Sequence, residues 1–365
     1  MALTSSCQPE DGCTILALKH DLFRLAFAGI AATGLHRVAS SRLRGLGAIL
    51  MLHHVRPFGH GAFAPNRLLE VTPQFLDAAL TRAASLGFRF ATLDQVVAHV
   101  RAGGAGPPQL AVTFDDGYVD NLEHALPVLR RHGVPATVFV TPGFADRTST
   151  LWWLDLEHAV AASREVVVDL GAGEERLPCA DDAQRSATFE RIYWSLRSGP
   201  EERLRSTIAR LAAGAGVDTQ DTVARLCLDW AGLAQLAADP LVSIGAHTMT
   251  HPMLAKHDAA TVRTEMAQSC AVIVERLGVP VRHFAYPVGD PGSAGPREFA
   301  MAAELGFEAA VTTRPGMLFP VHGERLTALP RVSLNGHFQD PAQFEVLLSG
   351  LPFWLWNGGR NVAAA

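Results

Sequence analysis

Short apolar runs that end in polar residues alternate with stretches of helical spacing along most of this chain. The runs are AILMLHHV (48–55), LAVTF (110–114), ATVFV (136–140), LVSIGAH (241–247), HFAYP (283–287) and AAVTT (309–313). Alternating strands and helices are typical of parallel sheets and α/β barrels. Because the strands end in polar residues and lead into helices, we expect a barrel with its functional site at the carboxyl ends of the strands.

Helices are predicted where apolar residues recur every three or four positions. Thr72 before Pro73 has the form of a helix start, since threonine can cap a helix and proline suits its first turn. Further helices are predicted over 93–100, 122–132, 259–277 and 296–305. Residues 151–235 are more charged and are predicted to form a mainly helical insertion.

Composition excludes some classes of protein. The 365 residues are 48% hydrophobic, which rules out a disordered chain. The net charge of −5 gives no indication of a nucleic-acid partner, because such proteins usually carry a basic patch. The five cysteines contain no CxxC pair, which argues against a zinc ribbon and a disulfide framework.

The two ends of the chain contain apolar segments. Glu10 and Asp11 precede the first apolar run, which is unlike a secretory signal, and we therefore expect a cytoplasmic protein. The apolar residues 22–35 are too few to span a bilayer. For these residues and the segment PFWLWNGG (352–359), two alternatives stay open: packing on the main domain, or peripheral membrane contact.

Two clusters of polar residues follow predicted strands. Asp115 and Asp116 end one strand, where one carboxylate could bind a metal and the other act as a base; alone, Asp-Asp-Gly also fits a simple turn. His247 and His251 lie four residues apart after another strand, a spacing that lets two imidazoles bind one ion, although a surface loop also fits. Two imidazoles and a carboxylate together predict a catalytic zinc site, with other divalent first-row metals as alternatives.

A third segment, FAYPVG (284–289), includes the end of the next strand. A buried strand that leads into Pro-x-Gly can direct backbone N–H groups into a site, although an ordinary exit from a strand also fits.

In this order, TFDDG, HTMTHP and FAYPVG resemble the motifs of the polysaccharide deacetylases, carbohydrate esterase family 4, which have a NodB homology domain. The resemblance implies an α/β fold, a distorted (β/α)₇ barrel. It also implies removal of N-acetyl groups from an N-acetylglucosamine-containing oligosaccharide or glycoconjugate, as in chitooligosaccharide deacetylases. The predicted segments are an N-terminal helical extension (1–45), the barrel (46–335, with its insertion) and a C-terminal tail (336–365).

Carried over by position, the resemblance makes Asp116, His247 and His251 ligands of a divalent metal, with Zn²⁺ expected and Co²⁺ as the alternative. It makes Asp115 the general base. The backbone N–H of Val288 would then stabilise an oxyanion, with Tyr286 and Pro287 beside it at the substrate.

Two parts of the family pattern differ in this sequence. Ala285 occupies the position at which other branches have an arginine that orients the base. The late leucine–histidine motif that supplies the general acid is not obvious, and Arg331 and His337 are weak candidates for it. LMLHHVRP is similar to an opening segment of one branch and brings His53 to the site, so His53 is our preferred acid.

Two other functions stay open at this point. One is hydrolysis of a non-sugar amide on the same scaffold. The other is a non-catalytic carbohydrate-binding protein, against which the presence of both Asp115 and Asp116 argues.

Overall fold

The computed structural model of the chain describes residues 25, 27–59 and 61–362. These residues form two compact units, which we describe separately. Among the described residues, the first unit consists of 25, 27–29, 59, 61–68 and 151–222, and the second of 30–58, 69–150 and 223–362.

The strands are numbered in chain order. They are β1 (Gly47–Leu52), β2 (His54–Val55), β3 (Glu70–Val71), β4 (Arg89–Phe90), β5 (Gln109–Phe114), β6 (Ala136–Val140), β7 (Glu165–Asp169), β8 (Glu174–Pro178), β9 (Val242–Ala246), β10 (His283–Ala285), β11 (Ala309–Pro315) and β12 (Leu329–Ser333). Strands β7 and β8 form an antiparallel hairpin in the first unit, and the other strands lie in the second.

The helices are numbered in the same way. They are α1 (Leu35–Leu43), α2 (Pro73–Ser85), α3 (Leu93–Arg101), α4 (Leu126–His132), α5 (Pro142–Ala145), α6 (Trp152–Ala162), α7 (Asp182–Ser198), α8 (Glu201–Gly214), α9 (Thr219–Leu226), α10 (Trp230–Ala237), α11 (Ala259–Leu277), α12 (Pro296–Glu304), α13 (Pro341–Leu348) and α14 (Leu351–Trp356). None of the helices in the described ranges is long and apolar enough to cross a bilayer.

Seven parallel strands of the second unit form a closed barrel. Their order around the ring is β1, β12, β11, β10, β9, β6 and β5, and β1 pairs with both β12 and β5. Every residue of β1 is buried, as expected for a strand covered on both faces. This arrangement confirms the predicted (β/α)₇ barrel, and it brings the ends of distant strands together.

Local sequence signals set most of the element boundaries. The Thr72 side chain accepts a hydrogen bond from the Phe75 N–H and Pro73 occupies the first turn of α2, as predicted. Helix α11 has the predicted bounds 259–277 and ends at Gly278, which adopts a left-handed φ of 66° that glycine tolerates.

Three elements differ from the prediction. Residues Asn121–Ala125 form a wide π-helical turn ahead of α4. The seventh barrel strand, β12, was not predicted, because Pro330 and Arg331 interrupt its apolar residues. The hairpin β7–β8 was not predicted either, since β8 is mostly charged and has no buried residue, which leaves it without a clear apolar pattern.

The first unit contains helices α6, α7 and α8 besides the hairpin. Its aromatic residues pack together: Trp152 contacts Trp153 edge to face, and Phe189 stacks on Tyr193. The predicted domain boundaries stay predictions.

Candidate metal centre and active site

Three side chains converge at the carboxyl ends of two barrel strands. Asp116 follows β5, and His247 follows β9 directly, before the loop that carries His251. The Asp116 Oδ1 atom lies 3.6 Å from His247 Nε2 and 3.4 Å from His251 Nε2. One potential ligand atom of each residue lies within 4.8 Å of the others, and all three residues are buried.

The backbone around these ligands adopts unusual conformations. Asp116, Thr248 and His251 have φ values of 71°, 62° and 58°, in the left-handed region that non-glycine residues rarely adopt. The surrounding fold must stabilise such conformations, and they occur often at functional sites.

Glu265 of α11 holds the loop between the two histidines. Its carboxylate accepts hydrogen bonds from the N–H groups of Met249 and Thr250 at 2.8 and 2.9 Å, and from the Thr250 hydroxyl at 2.7 Å. Within the loop, the His251 N–H donates to the Thr248 hydroxyl at 3.0 Å.

His247 is oriented by a carbonyl group. Its Nδ1 lies 2.7 Å from the oxygen of Ala285 and donates to it, which leaves Nε2 as the lone-pair atom that faces Asp116. Burial lowers the pKa of His247, so the ring favours the neutral form that binds metals. A hydrogen bond of this kind commonly fixes the tautomer of a metal-ligating histidine.

The donor atoms fit a divalent metal ion. Asp116 Oδ1 is buried and has no hydrogen-bond partner among the described residues. Burial and the charge of Asp115 raise the pKa of Asp116 to about 8. A cation bound between Asp116 and the two imidazoles would compensate this charge. Carboxylate and imidazole donors suit Zn²⁺ and Co²⁺ alike, so they do not identify the metal.

The neighbouring carboxylate has a different environment. Arg331 donates to both oxygens of Asp115, from NH1 to Oδ1 at 2.8 Å and from NH2 to Oδ2 at 2.7 Å. Both side chains are buried. Burial opposes ionisation, but the guanidinium outweighs it and holds the pKa of Asp115 below its usual range. Asp115 is therefore a fixed, ionised carboxylate.

Arg331 lies inside the barrel. Its Nε donates to the carbonyl oxygen of Thr312 at 2.9 Å, and its NH1 also contacts the Thr113 hydroxyl at 3.2 Å. An arginine keeps its proton in proteins, so Arg331 is not the general acid for which it was a weak candidate. It instead holds Asp115 in position. In other branches of the family an arginine at the position of Ala285 is expected to have this role.

His53 also lies close to Asp115. Its Nε2 is 3.8 Å from Asp115 Oδ2, and its side chain is 17% exposed. The Asn121 side chain donates to the His53 carbonyl at 2.7 Å and holds this part of the backbone. Burial lowers the pKa of His53 to about 4, although the charge of Asp115 partly offsets it. His53 is therefore neutral near pH 7.

The adjacent His54 belongs to a separate buried cluster and has a structural role. Its Nδ1 lies 2.6 Å from Asp120 Oδ2, and its ring stacks on Tyr118 at 3.5 Å. The other Asp120 oxygen accepts the Val55 N–H at 2.9 Å. This buried cluster holds the chain that leads out of β1.

The third motif contributes through its backbone. Val288 has a φ of 60°, and no hydrogen bond among the described residues uses its N–H. Tyr286 is buried and its hydroxyl donates to the Thr327 carbonyl at 2.8 Å, so this end of its side chain is held by the protein itself. A contact of Tyr286 with a substrate stays a prediction. Pro287 is also buried.

His337, the other weak candidate for the acid, lies in a turn after β12. Its N–H donates to the Asn335 side chain at 3.1 Å, and its ring lies edge-on to Phe338.

Solved structures of deacetylases share this fold. Deacetylase PplD of Streptococcus pyogenes, in complex with acetate, superposes with a TM-score of 0.53 and 18% identity, over 81% of this chain and 95% of that chain. A polysaccharide deacetylase from Bacillus cereus superposes with a TM-score of 0.51 and 18% identity, over 82% and 69% of the two chains. At such identity the likeness concerns the fold alone. No curated protein matches the sequence significantly.

The sequence also matches a family model, described as polysaccharide deacetylase, over residues 102–310. The match includes Asp115, Asp116 and both histidines of the cluster, whereas His53 and Arg331 lie outside it. Because it spans more than half of the 365 residues, the chain belongs to the polysaccharide deacetylase family.

Proposed function

We propose that this chain is a metal-dependent hydrolase that removes N-acetyl groups from an N-acetylglucosamine-containing oligosaccharide or glycoconjugate. One observation carries the proposal: three potential ligand atoms of Asp116, His247 and His251 lie within 4.8 Å of one another, beside a second carboxylate that is ionised. Membership of the family supports an acetylated polysaccharide as the substrate class.

Asp116, His247 and His251 would hold the divalent ion, with Zn²⁺ expected. A metal in such a site supplies Lewis acidity, which polarises a carbonyl group and lowers the pKa of water. The Asp116 Oδ1 atom, which is buried without a hydrogen bond, would become a ligand.

Asp115 acts as the general base in this proposal. Arg331 binds both of its oxygens, and this keeps it ionised and fixes its orientation. It can therefore accept the proton of a water molecule that attacks the acyl carbon. A base that is held in position loses little entropy in the transition state.

The backbone N–H of Val288 would stabilise the oxyanion that forms on the acyl oxygen. A backbone donor suits this role because it is already oriented before the reaction. The left-handed φ of Val288 and the absence of another partner for its N–H among the described residues support this assignment.

His53 would protonate the departing amine, since an amide leaves poorly without a proton. The ring is neutral at rest and must gain this proton during the reaction. Asp115, 3.8 Å away, can pass on the proton that it takes from water. Acetate and a free amino sugar are the products.

The test is acetate release from N-acetylglucosamine oligomers by the purified protein. We expect release that a chelator abolishes and that Zn²⁺ or Co²⁺ restores, and no release by Asp115→Asn with its metal bound. Stoichiometric metal without acetate would instead indicate a non-sugar amide substrate or a binding role. Metal-independent release would contradict the proposed mechanism.

A further inference from the structure

Two helices near the ends of the chain lie side by side in the second unit. Helix α14 begins just after Gly350, where the chain packs so tightly that a Cβ would lie 2.0 Å from the Leu43 carbonyl oxygen of α1. Each helix buries one side: His36 of α1 contacts Glu345 of α13 at 3.1 Å, and Phe353 of α14 joins the core.

Both helices expose large apolar side chains. Leu35 and Val38 of α1 are 58% and 77% exposed, and Leu355 and Trp356 of α14 are 54% and 69% exposed. We call these four residues the terminal patch. Large exposed apolar side chains on adjacent elements often mark a site of interaction with a protein or a membrane.

The two chain segments that carry the terminal patch contain arginines and no acidic residues. The sequence has no acidic residue between Asp21 and Glu70 or after Glu345, although the whole chain has a net charge of −5. Arginines occur in both segments, and Arg42 and Arg360 are exposed. These segments therefore combine apolar and cationic groups, and the acidic residue recorded against α1, Glu345, is buried in ion pairs with His36, Arg37 and Arg82.

We infer that the terminal patch docks on an anionic lipid bilayer. Leucine, valine and tryptophan enter the boundary between headgroups and acyl chains, and tryptophan favours this boundary. The arginines meet lipid phosphates, which adds an attraction that depends on salt. A second copy of the chain fits less well, because pairing two such patches would bring like charges together.

The test is co-sedimentation of the full chain with vesicles. We expect binding to mixed phosphatidylcholine and phosphatidylglycerol vesicles, little binding to phosphatidylcholine alone, and weaker binding in about 0.5 M salt. Trp356→Ala should weaken binding to the mixed vesicles about tenfold. Val38→Asp tests the other helix and should weaken it at least as much. Both residues are exposed, so we expect unchanged thermal unfolding.

Trp194→Ala is the matched control, since Trp194 is 56% exposed but lies on α7 of the first unit. It should bind vesicles as the native chain does. The inference is overturned if the native chain ignores anionic vesicles, or if Trp356→Ala binds them equally well. It is also overturned if the native chain is a dimer that Trp356→Ala dissociates, because the patch would then join two copies.

Discussion

Asp115 and Asp116 are adjacent in the sequence and both are buried, yet their surroundings are opposite. Arg331 binds both oxygens of Asp115 and keeps it ionised. Asp116 has a buried oxygen without a hydrogen bond, and its pKa is raised to about 8. The Arg331 guanidinium compensates the charge of Asp115. The charge of Asp116 faces two imidazoles, where a bound metal ion would compensate it.

This difference separates two chemical roles. A carboxylate that a fixed cation pairs stays available to take a proton, whereas one that faces two imidazole nitrogens is suited to bind a metal. Pairs of titratable groups with pKa values displaced in opposite directions are typical of catalytic sites.

The largest expected effect is on turnover. Asp115→Asn should lower kcat roughly 100- to 10,000-fold, because the base that accepts the proton of water is lost. Metal content, measured by elemental analysis, should stay near that of the native chain. Comparable loss of metal would show that the two aspartates do not have separate roles.

Removal of the Arg331 guanidinium should destabilise the fold. Arg331→Met leaves the buried Asp115 carboxyl group without its partner, which costs about 3–5 kcal/mol of unfolding free energy. Denaturant unfolding measures it. The double variant Arg331→Met with Asp115→Asn should lose less than the sum of the single variants. Strictly additive losses of unfolding free energy would argue against an interaction between Arg331 and Asp115.

Asp116→Asn should have the opposite effect on the metal-free protein. The substitution removes a buried carboxyl group that lacks compensation, so the chelated variant should be as stable as the native chain or about 1 kcal/mol more stable. Zn²⁺ should raise the melting temperature of the native chain much more than that of the variant. A large loss of stability without metal would be inconsistent with the contrast between the two carboxylates.

The smallest expected effect concerns the loop of the metal ligands. Glu265→Gln weakens the hydrogen bonds to Met249 and Thr250, and should lower metal affinity about tenfold by loosening His251. Competition with a chelating dye measures this. Glu304→Gln is the control, since Glu304 pairs only with the exposed Arg263 among its described contacts. Equal metal affinities of Glu265→Gln and the native chain would exclude a positioning role for Glu265.

Much of the fold and part of the candidate site follow from local sequence patterns. The six predicted strands and the capped helix at Thr72 depend on residues within a few positions of one another. The motifs around Asp115 and His247 each follow a strand, and parallel strands place their carboxyl ends together. Local patterns of this kind can be read without knowledge of the whole fold.

Other features of the structure have no local sequence pattern that predicts them. Strand β12 contains proline and arginine, which hide its apolar pattern. Tyr286 lies near the end of a predicted strand, two residues before Val288, but it is buried and its hydroxyl donates to the Thr327 carbonyl. Sequence position alone does not distinguish a side chain that packs in the core from one that lines a site.

The sequence by itself determined the barrel, the family resemblance and the residues from which a metal site can be built. Only the tertiary structure decided how Asp115 is held. Strand β1 pairs with β5 on one side and β12 on the other, and this closure brings Arg331 to Asp115, 216 residues away in the sequence. A contact between such distant residues depends on closure of the whole ring, and no local pattern of residues encodes it.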